Sequence, residues 1–224
     1  MLAARSLIPS ASPFRWPQRR MSARHTAMSV NRPVQNAVAA SVAECLSPSV
    51  LWSVLRPTIG LALWRRPARA VLHRPVAALV GLKPFCHVAA GSPESAARTL
   101  MRALPVAARP LGEDIIVLGR LFAALTNTST VRLRLEHVAD NACSKHHIDA
   151  VRLRLLCTYA GHGTEWIDAG GQRRHMAAFH VGIFKGSAFP DAAVRVLHRS
   201  PPVESLPPPQ RSRLLLCIDG PGVF

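Results

Sequence analysis

Apolar and polar positions alternate differently in the two halves of this chain. Up to about residue 127 the apolar residues recur at helical spacing. Val34, Val38 and Val42 would form one stripe on a helix over Val34–Leu46. Ile59–Trp64 is a continuous apolar run of strand length, the one strand expected in this half. Ser92-Pro93-Glu94 has the form of a helix start, a hydroxyl cap with proline at the first helical position, and that helix runs towards Leu104. A further helix beginning near Glu113-Asp114 puts Ile115, Leu118, Phe122 and Leu125 on one face and ends at Asn127.

From Thr130 the period becomes two. Val131–Leu135 and Val151–Leu155 both read Val-Arg-Leu-Arg-Leu, the pattern of a half-buried strand with arginines on its wet face. Ala177–Phe184, Val194–His198 and Arg213–Ile218 are further strand candidates. Gly161-His162-Gly163, Gly170-Gly171 and Pro207-Pro208-Pro209 punctuate them. The expected fold is therefore α+β: a mainly helical part, residues 28–127, packed on a C-terminal double-stranded β-helix (jelly roll), residues 128–224, as one compact unit. Residues 1–27 hold five arginines and no acid, and read as a disordered or mis-assigned start, with a transit peptide as the alternative.

Composition narrows the function. An apolar fraction of 49% with 18% charged residues supplies a core. No uncharged apolar run reaches the length of a membrane span. The net charge of +16 comes almost wholly from arginine, the only lysines being Lys83, Lys145 and Lys185. With abundant alanine and proline this is the signature of GC-rich coding, so it argues little for a nucleic-acid partner. The strand arginines, with no interleaved aromatics, read as a plain solvated face. Five cysteines without a Cys-x-x-Cys pair suggest a reducing, cytoplasmic setting.

The candidate chemistry lies in the second half. In an extended His147-Ile148-Asp149 the imidazole and carboxylate point the same way and can grip one ion. His198 follows at the end of an apolar strand, and Arg213 opens the last one. Two histidines and a carboxylate leave open positions on a metal, the arrangement of non-haem Fe(II) oxygenases, and an arginine nearby can hold a dicarboxylate through paired hydrogen bonds. Lys185 is a second candidate for that anchor. Tyr159, the single tyrosine, is a candidate hydroxyl at the co-substrate or oxygen. A competing set, Cys143 with His147 and His198, suits zinc. The expected cofactors are Fe(II) and 2-oxoglutarate, with Zn(II) as the alternative, and the substrate is left open.

Two resemblances sharpen this. Thr158-Tyr159, Trp166, Gly170-Gly171 and His198-Arg199-Ser200-Pro201-Pro202 followed by Arg213-Leu214-Leu215-Leu216 resemble the jelly-roll 2-oxoglutarate oxygenases over roughly the C-terminal hundred residues. That implies iron at His147, Asp149 and His198, with 2-oxoglutarate reaching Arg213. Leu61–Arg66, Cys143–Asp149, Leu155–Trp166 and His198–Pro202 look like a bacterial family, domain of unknown function 1826. Ser144, His146 and His162 depart from that family's pattern while sparing the proposed ligands. The resemblance implies no activity. Its association with zinc handling keeps open a non-catalytic, cupin-like metal-binding protein linked to zinc homeostasis.

Overall fold

Leucines and valines at alternate positions build one large sheet whose two faces bury different partners. The computed structural model describes residues 41–222 apart from residue 142. Residues 1–27 and most of the expected Val34–Leu46 helix lie outside these. Ten strands and four α-helices run in the order β1 (Val42–Cys45), β2 (Leu61–Trp64), α1 (His73–Val80), β3 (Phe85–Gly91), α2 (Pro93–Arg102), α3 (Arg109–Thr126), β4 (Val131–Val138), β5 (Leu153–Ala160), β6 (Glu165–Ile167), β7 (Arg173–His175), β8 (Val181–Lys185), β9 (His198–Arg199), α4 (Pro208–Arg211) and β10 (Arg213–Asp219). Seven strands form a mixed sheet in the order β1-β2-β8-β5-β10-β4-β3, and three form a small sheet, β7-β6-β9.

The division at residue 128 needs correction. β1, β2 and β3 all precede it, and all three belong to the large sheet. Val42–Cys45, expected in a helix, instead pairs in parallel with Leu61–Trp64. The valine spacing fits a helix, but a neighbouring strand offers this short segment a full ladder of hydrogen bonds, and tertiary pairing overrides a weak local preference. The helices further on follow the sequence closely. Ser92 caps α2, its hydroxyl accepting from the Ser95 amide at 3.2 Å. Asn127 ends α3 in the left-handed conformation that asparagine tolerates.

Period two sends alternate residues of each strand to opposite faces. Leu133, Leu135, Leu155, Cys157, Tyr159, Val181, Ile183, Leu214, Leu216 and Ile218 pack against Leu79, Leu100, Leu111, Ile115, Leu118 and Phe122 of α1–α3. From the other face Leu61, Leu63, Leu156, Phe184, Leu215 and Cys217 meet Trp166 of the small sheet, Met176 and Val196. The site lies on this second face.

An ion pair is buried in the helix-side core. Arg66 donates to both Asp114 oxygens at 2.7 Å, its Nε donates to the Phe179 carbonyl, and the Tyr159 hydroxyl donates to Asp114 Oδ2 at 2.8 Å. Asp114→Ala would strand the Arg66 guanidinium without a counter-charge. The expected loss is about 3–5 kcal/mol, read from the denaturant midpoint. Burial pushes the Asp114 carboxyl up, but the hydrogen bonds and charge of Arg66, aided by Tyr159, hold it below the ordinary value. A pKa lower in the folded than in the unfolded chain stabilises fully above the unfolded value of about 4 and fades as pH falls below it. Acid titration should therefore expose a stability loss that is smaller in the Asp114→Ala protein, where Asp149 still contributes.

Candidate metal centre

The His-x-Asp segment is placed by a backbone bridge. His147 and His198 exchange both main-chain hydrogen bonds, His147 N to His198 O at 2.9 Å and His198 N to His147 O at 3.1 Å. Since β9 pairs on its other side with β6, the segment extends the small sheet by one bridge. Directly opposed residues share a face, so the two imidazoles meet, with ring centroids 4.7 Å apart. Asp149, two residues beyond His147, turns to the same side.

The orientation of the two rings suits a metal. His147 Nδ1 lies 2.8 Å from the Lys145 carbonyl and His198 Nδ1 lies 3.4 Å from the Val196 carbonyl, so each ring points Nε2 at the carboxylate. His147 Nε2 is 3.6 Å from Asp149 Oδ1, and His198 Nε2 is 3.0 Å from Asp149 Oδ2. One ligand atom from each residue falls within 4.8 Å of the others, and among the described residues this is the group of its kind. Oδ2 is buried and accepts no hydrogen bond. Two free imidazole nitrogens and an orphaned carboxylate oxygen fit a divalent ion that takes mixed N/O ligands.

The electrostatics agree with that fit. Burial pushes Asp149 up, but its contacts with His147 and His198 and the charge of Arg154 reverse this and hold the carboxylate well below its ordinary range. The contact with Asp149 raises His147, against the opposing effect of burial. The Phe184 ring packs 4.3 Å from His198 and shields it from the β8 side.

Alternation on the last strand left open whether Arg213 faces inward or outward, and it faces inward. It shares a face with Leu215 and Cys217, is 2% exposed, and lines one cavity of about 40 Å³ with His147, Asp149 and His198. Its guanidinium donates to the hydroxyls of Ser200, Thr164 (2.9 Å) and Thr158 (3.3 Å), while Nε finds no acceptor. Among the described residues no carboxylate lies within ion-pair distance of it, and burial pulls its pKa down to about 10. This is a buried cation held by neutral groups.

Two expected site residues are not here. Tyr159 alternates to the opposite face of β5, where its hydroxyl serves Asp114 in the helix-side core. Lys185 likewise falls on the face of Val181 and Ile183; its Nζ donates to the Arg56 carbonyl at 2.7 Å and sits over the Phe189 ring. Neither can reach a co-substrate held beside His198. Cys143 is exposed and stands outside the ligand group, so the Cys143–His147–His198 zinc set is not assembled.

Of the four strand arginines, Arg152 is exposed as expected, and the other three need correction. Rather than a solvated face, Arg132, Arg134 and Arg154 lie half-buried on the site side of β4 and β5. Arg154 grips Asp219 through two nitrogens, at 2.7 and 2.9 Å, and donates a third hydrogen bond to Asp149 Oδ1, which leaves Oδ2 for the metal position. The sequence signal was the duplicated Arg-Leu-Arg motif itself, whose polar face carries Arg134 and Arg154 to the site cavity.

The turn between β5 and β6 delivers Thr164 to Arg213. At Gly163 an added Cβ would fall 1.8 Å from the Met176 carbonyl oxygen, and at Gly161, with φ of +78°, 2.1 Å from that of Ser212. Gly163→Ala should cost about 1–3 kcal/mol through forced backbone displacement, visible as a lowered melting temperature.

No helix among the described residues is long and apolar enough to cross a membrane. No curated protein matches the chain. Among solved structures, a full-length Neurospora crassa protein in complex with alpha-KG is 12% identical, with a TM-score of 0.46 over 80% of this chain and 83% of that one. A Pseudomonas putida prolyl-4-hydroxylase is 14% identical, TM-score 0.43, over 78% and 99%. A bsmA homolog from Methylobium petroleophilum PM1 is 15% identical, TM-score 0.41, over 76% and 91%. The family model described as "Protein of unknown function (DUF1826)" matches residues 46–219, most of the chain, and to that family the chain belongs.

Proposed function

We propose that this protein is a non-haem Fe(II)/2-oxoglutarate-dependent oxygenase, its two facing sheets forming a double-stranded β-helix. The observation that carries the reading is Arg213. A buried guanidinium without a carboxylate is costly to keep. It shares one cavity with two histidines and an aspartate aimed at a common point. A dicarboxylate that chelates a metal at one end answers both features at once.

His147 Nε2, His198 Nε2 and Asp149 Oδ2 would hold the ion. When bound, iron with 2-oxoglutarate supplies dioxygen activation coupled to oxidative decarboxylation of the co-substrate. Arg213 binds the far carboxylate through its unpartnered Nε, and the Ser200, Thr158 and Thr164 hydroxyls hold the guanidinium in place. Arg154 takes Asp149 Oδ1 and so fixes which oxygen faces the metal. Leu156 and Leu215 line the cavity and keep water from the charged groups.

The test is succinate release. Protein purified without oxygen and loaded with Fe(II) should convert 2-oxoglutarate to succinate slowly when exposed to air, even with no further substrate. Iron-loaded protein that releases no succinate, with or without candidate substrates, would contradict the assignment.

A further inference from the structure

Two cations in the site cavity have no part in holding the metal or 2-oxoglutarate, and of these Arg199 is hydrogen-bonded to Glu165 while Arg134 is not so tied. Arg134 lines that cavity with His147, Asp149 and Arg213. Its Nε is buried and unpartnered, and its guanidinium makes no hydrogen bond among the described residues. Its one acidic neighbour, Glu136, is 3.6 Å from a terminal nitrogen, an ion pair longer than a hydrogen bond. Of Arg132 and Arg154 on the same face, only Arg154 also lines the cavity, and it is hydrogen-bonded. Arg154 is tied to Asp219 and Asp149, and Arg132 lies 3.7 Å from Asp219.

Register places Arg134 on the open flank of the site. Across β10 it pairs with Cys217, which pairs in turn with Leu156 of β5, so it stands two strands from the floor beneath the ligands. On its other side it pairs with Val88 of β3. Val88 is 47% exposed and Cys86, opposite Glu136, is exposed too, so the β3 edge of this flank faces outward. The opposite flank is closed by Phe184 against His198, with Leu61 and Leu63 beyond. Arg213 lies four residue rows from Arg134 along the sheet, about 13 Å between backbone positions at strand spacing.

We infer that Arg134 is the anchor for an anionic group, carboxylate or phosphate, on the substrate to be oxidised, which enters over β3 and β4. The inference deepens the oxygenase reading and rests on it for the word substrate, but the anion site itself can be tested without metal. Two parallel N–H donors, one of them Nε, suit either oxyanion.

The experiment uses full-length protein labelled with nitrogen-15 at arginine. The Arg134 Nε–H signal is assigned by its loss in Arg134→Lys. Inorganic phosphate, benzoate and neutral benzamide are then titrated in turn. Saturable movement of the Arg134 signal with phosphate, benzoate or both, and none with benzamide, is expected; which anion binds tighter identifies the source. Arg134→Gln should weaken the anion by about ten- to hundredfold, the range for a lost charged hydrogen bond, while Fe(II) and 2-oxoglutarate affinities stay unchanged. An Arg134 signal unmoved by both anions would overturn the proposal. So would movement caused by 2-oxoglutarate alone with Arg213→Gln indifferent to it, because Arg134 would then be the co-substrate anchor. If the protein takes up no iron but Arg134 still binds anions, the oxygenase reading fails and the anion site stands.

Discussion

Arg213→Met is expected to abolish 2-oxoglutarate turnover while leaving the metal in place and the fold at least as stable. The two effects have one cause. In the wild type the guanidinium is out of water with only hydroxyl partners, and burial weakens its hold on the proton. Replacing a buried charge by an apolar side chain of similar volume is often neutral or stabilising by about 1–4 kcal/mol. The far carboxylate of 2-oxoglutarate, by contrast, would enter the same low-dielectric site with nothing to meet it. An unpaired carboxylate there costs several kcal/mol after relaxation, about a hundredfold or more in affinity. Denaturant unfolding, metal analysis and succinate release on one preparation read all three quantities. Turnover surviving in Arg213→Met would remove the co-substrate role. Retained metal with lost turnover, at undiminished stability, is a combination that a packing residue does not produce.

The second large effect is at the ligands. Asp149→Ala should reduce metal affinity by about a hundredfold or more, since even the outer partners of metal ligands are worth about ten- to a hundredfold. It should also destabilise the metal-free protein, because Arg154 would keep only Asp219 and two imidazoles would lose their partner. His198→Ala should match it in metal loss, as that ring is buried against Phe184. Competition titration with a chromophoric chelator separates the variants. Wild-type affinity in either single alanine protein would show that the ion is held elsewhere.

Much of the site was legible before the fold was known, for physical reasons. His147 and Asp149 share a side because extended residues two apart must, and Arg213 shares a face with Leu215 and Cys217 for the same reason, although alternation alone left open which way that face looks. That rule worked where the strand was clear. It failed for Tyr159 and Lys185, which are equally buried but on the helix face. β5 is apolar on both faces from Leu155 to Cys157, so its sequence does not tell which side looks at helices and which at the second sheet. The same ambiguity hid the role of Arg134 and Arg154. Alternation with leucine said that they lay on the more polar face, and only the pairing of β4 and β5 with β10 shows that this face is the floor of the site. β1 and β3 escaped because one is short and the other is mostly small or polar residues, whose strand character comes from their neighbours in the sheet.

Anomalous diffraction from crystals grown without oxygen, with Mn(II) in place of iron and 2-oxoglutarate added, tests the central claim most directly. One manganese peak is expected, bounded by His147 Nε2, His198 Nε2 and Asp149 Oδ2, with the co-substrate's far carboxylate on Arg213. Manganese bound away from these three residues, or a co-substrate whose far carboxylate leaves Arg213 untouched, would contradict it.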